Sequence, residues 1–174
     1  VRYTDEDEAI NIPARLAELA AYLKEETERL GLPMPRFLME PGRSIVADAG
    51  MTLYTVGSVK RIPGYKQYAA VDGGMTDNPR YALYQSRYTV YHAHKSGSME
   101  RFDVVGRCCE SGDIIQPGVE LPGDTCRGDI LAVCTTGAYN YSMASNYNRL
   151  PRPAVVMLTP DRIYEAVRRE TFAD

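Results

Sequence analysis

The hydrophobic pattern divides the chain in two. Up to residue 50 the apolar positions first follow a helical period and then form one short run. Asn11 can cap a helix, and Pro13 suits its first turn. Leu16, Leu19, Ala20, Leu23 and Leu30 recur at helical spacing and give one apolar stripe. Gly31, Pro33 and Pro35 end the pattern. "RFLMEPGR" then reads as a short buried strand closing in a turn, while residues 1–10 are acidic and irregular. Helix, tight loop and buried strand make one piece of an α/β repeat. A single piece cannot cover both faces of its strand, so stripe and strand call for neighbours.

Beyond Gly50 the runs shorten and become rich in β-branched residues and tyrosine. "MTLYTVGSVKRI", "QYAAVD", "RYTVYHA", "ERFDVVG", "DILAVC" and "AVVML" read as strands. Clusters of Gly, Pro, Asp and Asn separate them, among them "DGGMTDNP", "HKSGSM", "QPGVELPGD" and "TPD". The expectation is a β-sandwich or barrel. "GAYNYSMAS" is expected to hold a short helix, and Ile163–Thr171 a terminal one. The fold class is therefore mainly β (α+β), divided into residues 1–50 and 51–174.

Composition narrows the function. The 174 residues suit one domain or slightly more, and a net charge of −3 leaves no basic footprint for nucleic acid. No signal-peptide pattern and no bilayer-length apolar run occur in this sequence, so no membrane partner is expected. The four cysteines show no CxxC, and free thiols in a reducing cytoplasm are expected. His92 and His94 would point the same way in a strand, but no acid or cysteine cluster adjoins them, and no metal site is assigned.

Four motifs carry candidate chemistry. In "EPGRS", Gly42 lets backbone approach a ligand and Arg43 adds charge, so the stretch is either a phosphate cradle below Glu40 or a surface turn. In "DGGMTDNPRYALY", Arg80 can hold a carboxylate, and Tyr84 shares its face if the segment is helical; otherwise this is a solvated loop. "GAYNYSMASNYN" offers tyrosine hydroxyls for a polar ligand, or core tyrosines beneath a loop. "GRCCESGD" is the sharpest. Its adjacent Cys108 and Cys109 are poor disulfide partners. A thiol of ordinary pKa, about 8.5, is largely protonated at neutral pH and can donate that proton. Glu110 can accept from an ammonium, and Gly112 permits the bend that would bring both into one pocket. Cys108 reads as a small buried hydrophobe, and Cys109 as either that or an acid.

Taken in order, "EPGR", "DGGM…RYALY", "CESGD" and "GAYNYSMASNYN" resemble the C-terminal part of the diaminopimelate decarboxylase family, across nearly all of residues 12–170. That family converts meso-2,6-diaminopimelate to L-lysine and carbon dioxide with pyridoxal 5′-phosphate, on a TIM barrel followed by a β-domain. The resemblance implies that residues 1–50 are the last helix and strand of the barrel. It implies that Glu40, Gly42, Arg43 and Tyr139 serve the cofactor. Arg43, Arg80, Tyr84, Glu110 and Tyr139 would bind the amino-acid substrate. Cys109 would be the catalytic acid, presented across a homodimer interface to the other subunit's cofactor. Two departures occur: Tyr81 and Arg107 stand where the family often has proline. None of Lys24, Lys60, Lys66 and Lys95 lies in the context of the family's Schiff-base lysine, so the chain is expected to need an N-terminal barrel half and to be inactive alone. The other readings are a decarboxylase of ornithine, arginine or carboxynorspermidine, and a non-catalytic β-domain that dimerises.

Overall fold

In the computed structural model, which describes residues 2–174, a helix and an extended segment lead into a curled, mostly antiparallel sheet. Helix α1 (Ile12–Leu30) starts where its cap dictates. Asn11 Oδ1 accepts the Ala14 N–H at 3.1 Å, and Pro13 sits in the first turn, where no intrahelical donor is needed. Gly31 ends it in the left-handed region at φ 65°, and the Leu32 N–H reaches back to Thr27 O at 2.9 Å. No residue of α1 is buried.

The strand expected across "RFLMEPGR" does not form. Residues 32–42 have no ladder partner, and Phe37, Leu38 and Met39 are exposed. A strand exists through its pairing, and the described residues offer this one no neighbour. The chain then turns through α2 (Arg43–Val46) and a 3-10 turn, Ala47–Ala49. The Gly137 N–H donates to Ala47 O at 2.9 Å, and a Cβ on Gly137 would lie 2.0 Å from Val46 O. That close approach docks the start of the chain on the β-part.

Strands β1 (Thr52–Ile62), β2 (Lys66–Val71), β3 (Val90–His92), β4 (Met99–Val105), β5 (Ile114–Pro122) and β6 (Ile130–Val133) form one sheet in the order β3-β6-β1-β2-β4-β5. Only β2 and β4 run parallel. The Tyr88 N–H, just before β3, donates to Gln116 Oε1 on β5 at 2.9 Å, so the two edges nearly meet and the sheet approaches a barrel. Val56, Phe102, Val104, Ile115, Leu121, Leu131 and Val133 fill it.

Strand β5 corrects the reading of "QPGVELPGD" as a connecting turn. It lies at the sheet edge, where Pro117 and Pro122 lose no ladder bond on the open side. Gly118, at φ 67°, makes an irregularity opposite Asp103, whose Oδ1 accepts the Gly118 N–H at 2.8 Å. The terminal helix is corrected too. Ile163–Val167 is strand β8, antiparallel to β7 (Val155–Leu158), and Thr159 closes the turn on Arg162 O at 3.0 Å. Ile163, Tyr164 and Val167 are strand-favouring, and the tight turn at Thr159 brings the segment against β7. "GAYNYSMAS" holds only a 3-10 turn, Tyr141–Met143. Among the described residues no helix is long and apolar enough to cross a membrane.

Candidate active site

The loop after β2 is tightened by Asp77. Its Oδ1 accepts the Gly74 N–H at 2.9 Å, and its Oδ2 takes the Tyr54 hydroxyl. Burial pushes the Asp77 carboxyl above the usual carboxylate range. Pro79 then starts a short helix, α3 (Arg80–Tyr84), which puts Arg80 and Tyr84 on one face. The Arg80 guanidinium lies 4.6 Å from the Tyr84 ring centre and 5.9 Å from that of Tyr139. Arg43, from α2, lies 5.0 Å from the same Tyr139 ring and 4.6 Å from Tyr3. Three segments far apart in sequence thus deliver Gly42, Arg43, Arg80, Tyr84 and Tyr139 to one place.

Two backbone features hold this cluster. A Cβ on Gly42 would sit 2.2 Å from the Tyr139 hydroxyl, so only glycine leaves the tyrosine room. Tyr139 itself is at φ 71°, where residues with side chains are strained. Its carbonyl accepts the Met143 N–H and the Ser142 hydroxyl, each at 3.0 Å. The electrostatics are incomplete. Arg43 Nη1 and Nη2 and Arg80 Nε are buried without hydrogen-bond partners among the described residues. Aromatic faces recover part of the cost of desolvating a guanidinium, and an anion would recover the rest.

The cysteine motif turns between β4 and β5. The Glu110 N–H donates to Cys108 O at 2.9 Å, and the Asp113 N–H to Glu110 O at 3.1 Å. All four cysteines are free; Cys109 is exposed and Cys108 half-buried. Burial, followed by the neighbouring Asp113 charge, pushes the Cys108 thiol up to about 11. Cys108 therefore stays a neutral thiol, as its reading as a small hydrophobe requires. Glu110 is held below the usual glutamate range by the Gly112 N–H at 3.1 Å and the Ser111 hydroxyl at 3.2 Å. It is ionised at neutral pH and able to receive a cation. Glu40, Cys109 and Glu110 are not joined to the arginine–tyrosine cluster. All three are exposed, and the side-chain bonds of Glu110 stay within its own turn.

Some residues escaped the sequence reading. Tyr3, in the stretch read as irregular, stacks on Arg43 and on Tyr88 at 5.7 Å. Asp113 ends the "CESGD" motif, and nothing local announces a role for it. The histidine pair is not shared by a strand, because β3 ends at His92. His92 is tied down instead: its Nδ1 accepts the Lys95 N–H at 2.9 Å and its Nε2 lies 3.1 Å from Asp129.

A curled sheet that presents two half-buried arginines against exposed Tyr84 and Tyr139, with a separate exposed thiol turn, defines a recognisable class. Residues 15–137 match the C-terminal sheet domain of pyridoxal-dependent decarboxylases, and the chain belongs to that family. Within it, similar curated proteins include diaminopimelate decarboxylases. That of Bacillus subtilis (strain 168) is 48% identical over 176 residues, covering 100% of this chain and 40% of that protein. The crystal structure of diaminopimelate decarboxylase from M. jannaschii in co-complex with L-lysine aligns with TM-score 0.86 at 32% identity, over 97% of this chain and 38% of that one. A lysine/ornithine decarboxylase from Vibrio vulnificus complexed with cadaverine aligns less well, with TM-score 0.68 at 25% identity over 86% of this chain and 38% of that one. The chain spans about 40% of the length of the curated relatives it matches.

Proposed function

We propose that this chain forms the substrate-gripping and proton-delivering part of a decarboxylase that converts meso-2,6-diaminopimelate to L-lysine and carbon dioxide. The observation that carries the reading is the gathering of Arg43, Arg80, Tyr84 and Tyr139, with guanidinium N–H groups buried and unpaired. Such donors favour a ligand with more than one anionic group. Diaminopimelate carries a distal carboxylate for Arg80 and Tyr84 and a distal ammonium for the ionised Glu110. Ornithine lacks that carboxylate and would leave the buried Nε of Arg80 without a partner.

The residues fit pyridoxal 5′-phosphate. Arg43 has free donors for a phosphate, and Gly42 lets Tyr139 close the wall beside it. Glu40, exposed just before the turn, would face the pyridine nitrogen. When bound, this cofactor supplies an electron sink for the bond that breaks at the substrate's α-carbon. The chain's own part is to orient and to protonate. Arg80, Tyr84 and Glu110 fix the far end of the substrate. Cys109 gives its thiol proton to the α-carbon once carbon dioxide has left. Because Cys109 and Glu110 are exposed, presentation to a second subunit across a homodimer is the arrangement that uses them. Exposed Leu16, Leu19, Phe37 and Leu38 form an apolar face suited to a covering barrel half. Free thiols accord with a cytoplasmic setting.

The test is turnover by the full-length enzyme on diaminopimelate and on ornithine. The reading predicts a kcat/KM for diaminopimelate at least about 100-fold higher. Faster turnover of ornithine would overturn it.

A further inference from the structure

Asp113 is only 4% exposed, and both of its carboxylate oxygens are engaged by backbone. Oδ1 accepts the Met75 N–H and Oδ2 accepts the Cys108 N–H, each at 2.6 Å. Met75 lies in the loop that runs through buried Asn78 and Pro79 to Arg80, and Cys108 directly precedes Cys109. One side chain therefore ties the substrate-arginine loop to the thiol loop.

The surroundings are shaped for this tie. A Cβ at Gly74 would lie 2.4 Å from Asp113 Oδ1, and one at Gly106 would lie 2.2 Å from both oxygens. Glycine at both positions is what lets the carboxylate enter. Two backbone bonds run alongside: the Gly106 N–H to Asp113 O at 2.9 Å and the Arg107 N–H to Gly73 O at 3.2 Å. The second needs the Arg107 N–H, which a proline at that position would lack. Charge-assisted bonds to backbone are among the stronger ones, and losing the acceptor strands two partly buried donors.

We propose that Asp113 is a positioning residue, which anchors the turn carrying Cys109 and Glu110 to the loop that leads to Arg80, and so fixes how the thiol is presented to the second subunit, without itself touching substrate. The inference deepens the proposed function and rests on it for the role of Cys109. In the full-length enzyme, Asp113→Asn keeps the shape but turns one acceptor into a donor facing an N–H. The expected result is a kcat at least about 10-fold lower with KM changed less than about 3-fold. In the substrate-free protein, iodoacetamide should label Cys109 at a rate changed at least about 3-fold, read by peptide mass spectrometry, with Cys126 unchanged. Asp103→Asn is the control. It alters another buried carboxylate, on β4, bonded to Lys66 and the Gly118 N–H and to neither of the two loops. It should lower the melting temperature while leaving kcat and Cys109 labelling at the wild-type level.

Wild-type kcat and labelling in Asp113→Asn would overturn the proposal, as would equal kinetic losses in the two variants. A labelling change in a protein that does not decarboxylate diaminopimelate would keep the positioning role and sink the substrate reading. If Asp113→Asn does not fold, hydrogen exchange on the wild-type enzyme decides. Slow exchange at Met75 and Cys108 supports the tie, and exchange at the rate of the exposed turn refutes it.

Discussion

Gly42 carries the tightest steric constraint in the arginine–tyrosine cluster. A methyl group there would fall 2.2 Å from the Tyr139 hydroxyl, and the tyrosine must swing away from Arg43 to admit it. Gly42→Ala in the full-length enzyme should therefore weaken pyridoxal 5′-phosphate binding at least about 10-fold, seen in an absorbance titration, with a melting temperature within about 3 °C of wild type. Unchanged affinity would show that Tyr139 is not needed where it stands. At this scale the sequence was informative about residue types. Arginine, glycine and tyrosine in short motifs marked the residues that the fold gathers. It was silent about partners in space. Neither the Tyr3–Arg43 stacking nor the grip of Asp113 on two amides has a local signature, because each joins segments far apart in the chain.

Elements were legible where local chemistry decides them. The cap at Asn11, the stop at Gly31 and the β-branched runs each fixed a helix or strand. Strand β5 was hidden because proline and glycine usually mark turns, and only its edge position makes them tolerable. Strand β8 was hidden because five residues cannot separate a helical from an extended period. The end of the chain is latched by Glu170. Its carboxylate accepts from Arg152 Nε at 2.6 Å, the Arg152 N–H at 2.8 Å and Asn146 Nδ2 at 2.7 Å. These bonds, the Arg152 side chain foremost, hold the Glu170 carboxyl down at about 2 against an ordinary 4.5. A depressed folded-state pKa stabilises fully above the unfolded value and loses that contribution as pH falls toward the folded one. Glu170→Gln should thus melt a few degrees below wild type at neutral pH. The gap should close between about pH 4.5 and about pH 2 in melting curves of the full-length enzyme. A gap independent of pH would assign the loss to packing rather than charge.

At the scale of the whole molecule, the sheet is a scaffold whose loops carry the candidate site residues. The barrel-like closure between β3 and β5 sets α3 and the thiol turn on loops that leave the same framework. The β-rich class of the fold was readable from the spacing of strands and turns. The failure of the expected strand before Gly42 was not, because pairing depends on neighbours and not on the run itself. The proposed division of labour follows from this arrangement: the buried guanidinium groups bind, and the exposed thiol delivers.

The most direct measurement is Cys109→Ala in the full-length enzyme, assayed for L-lysine formation from diaminopimelate beside a melting curve. The account predicts a kcat at least about 100-fold lower with the melting temperature unchanged, since the exposed thiol supplies a proton and little packing. Wild-type kcat in that variant would contradict it.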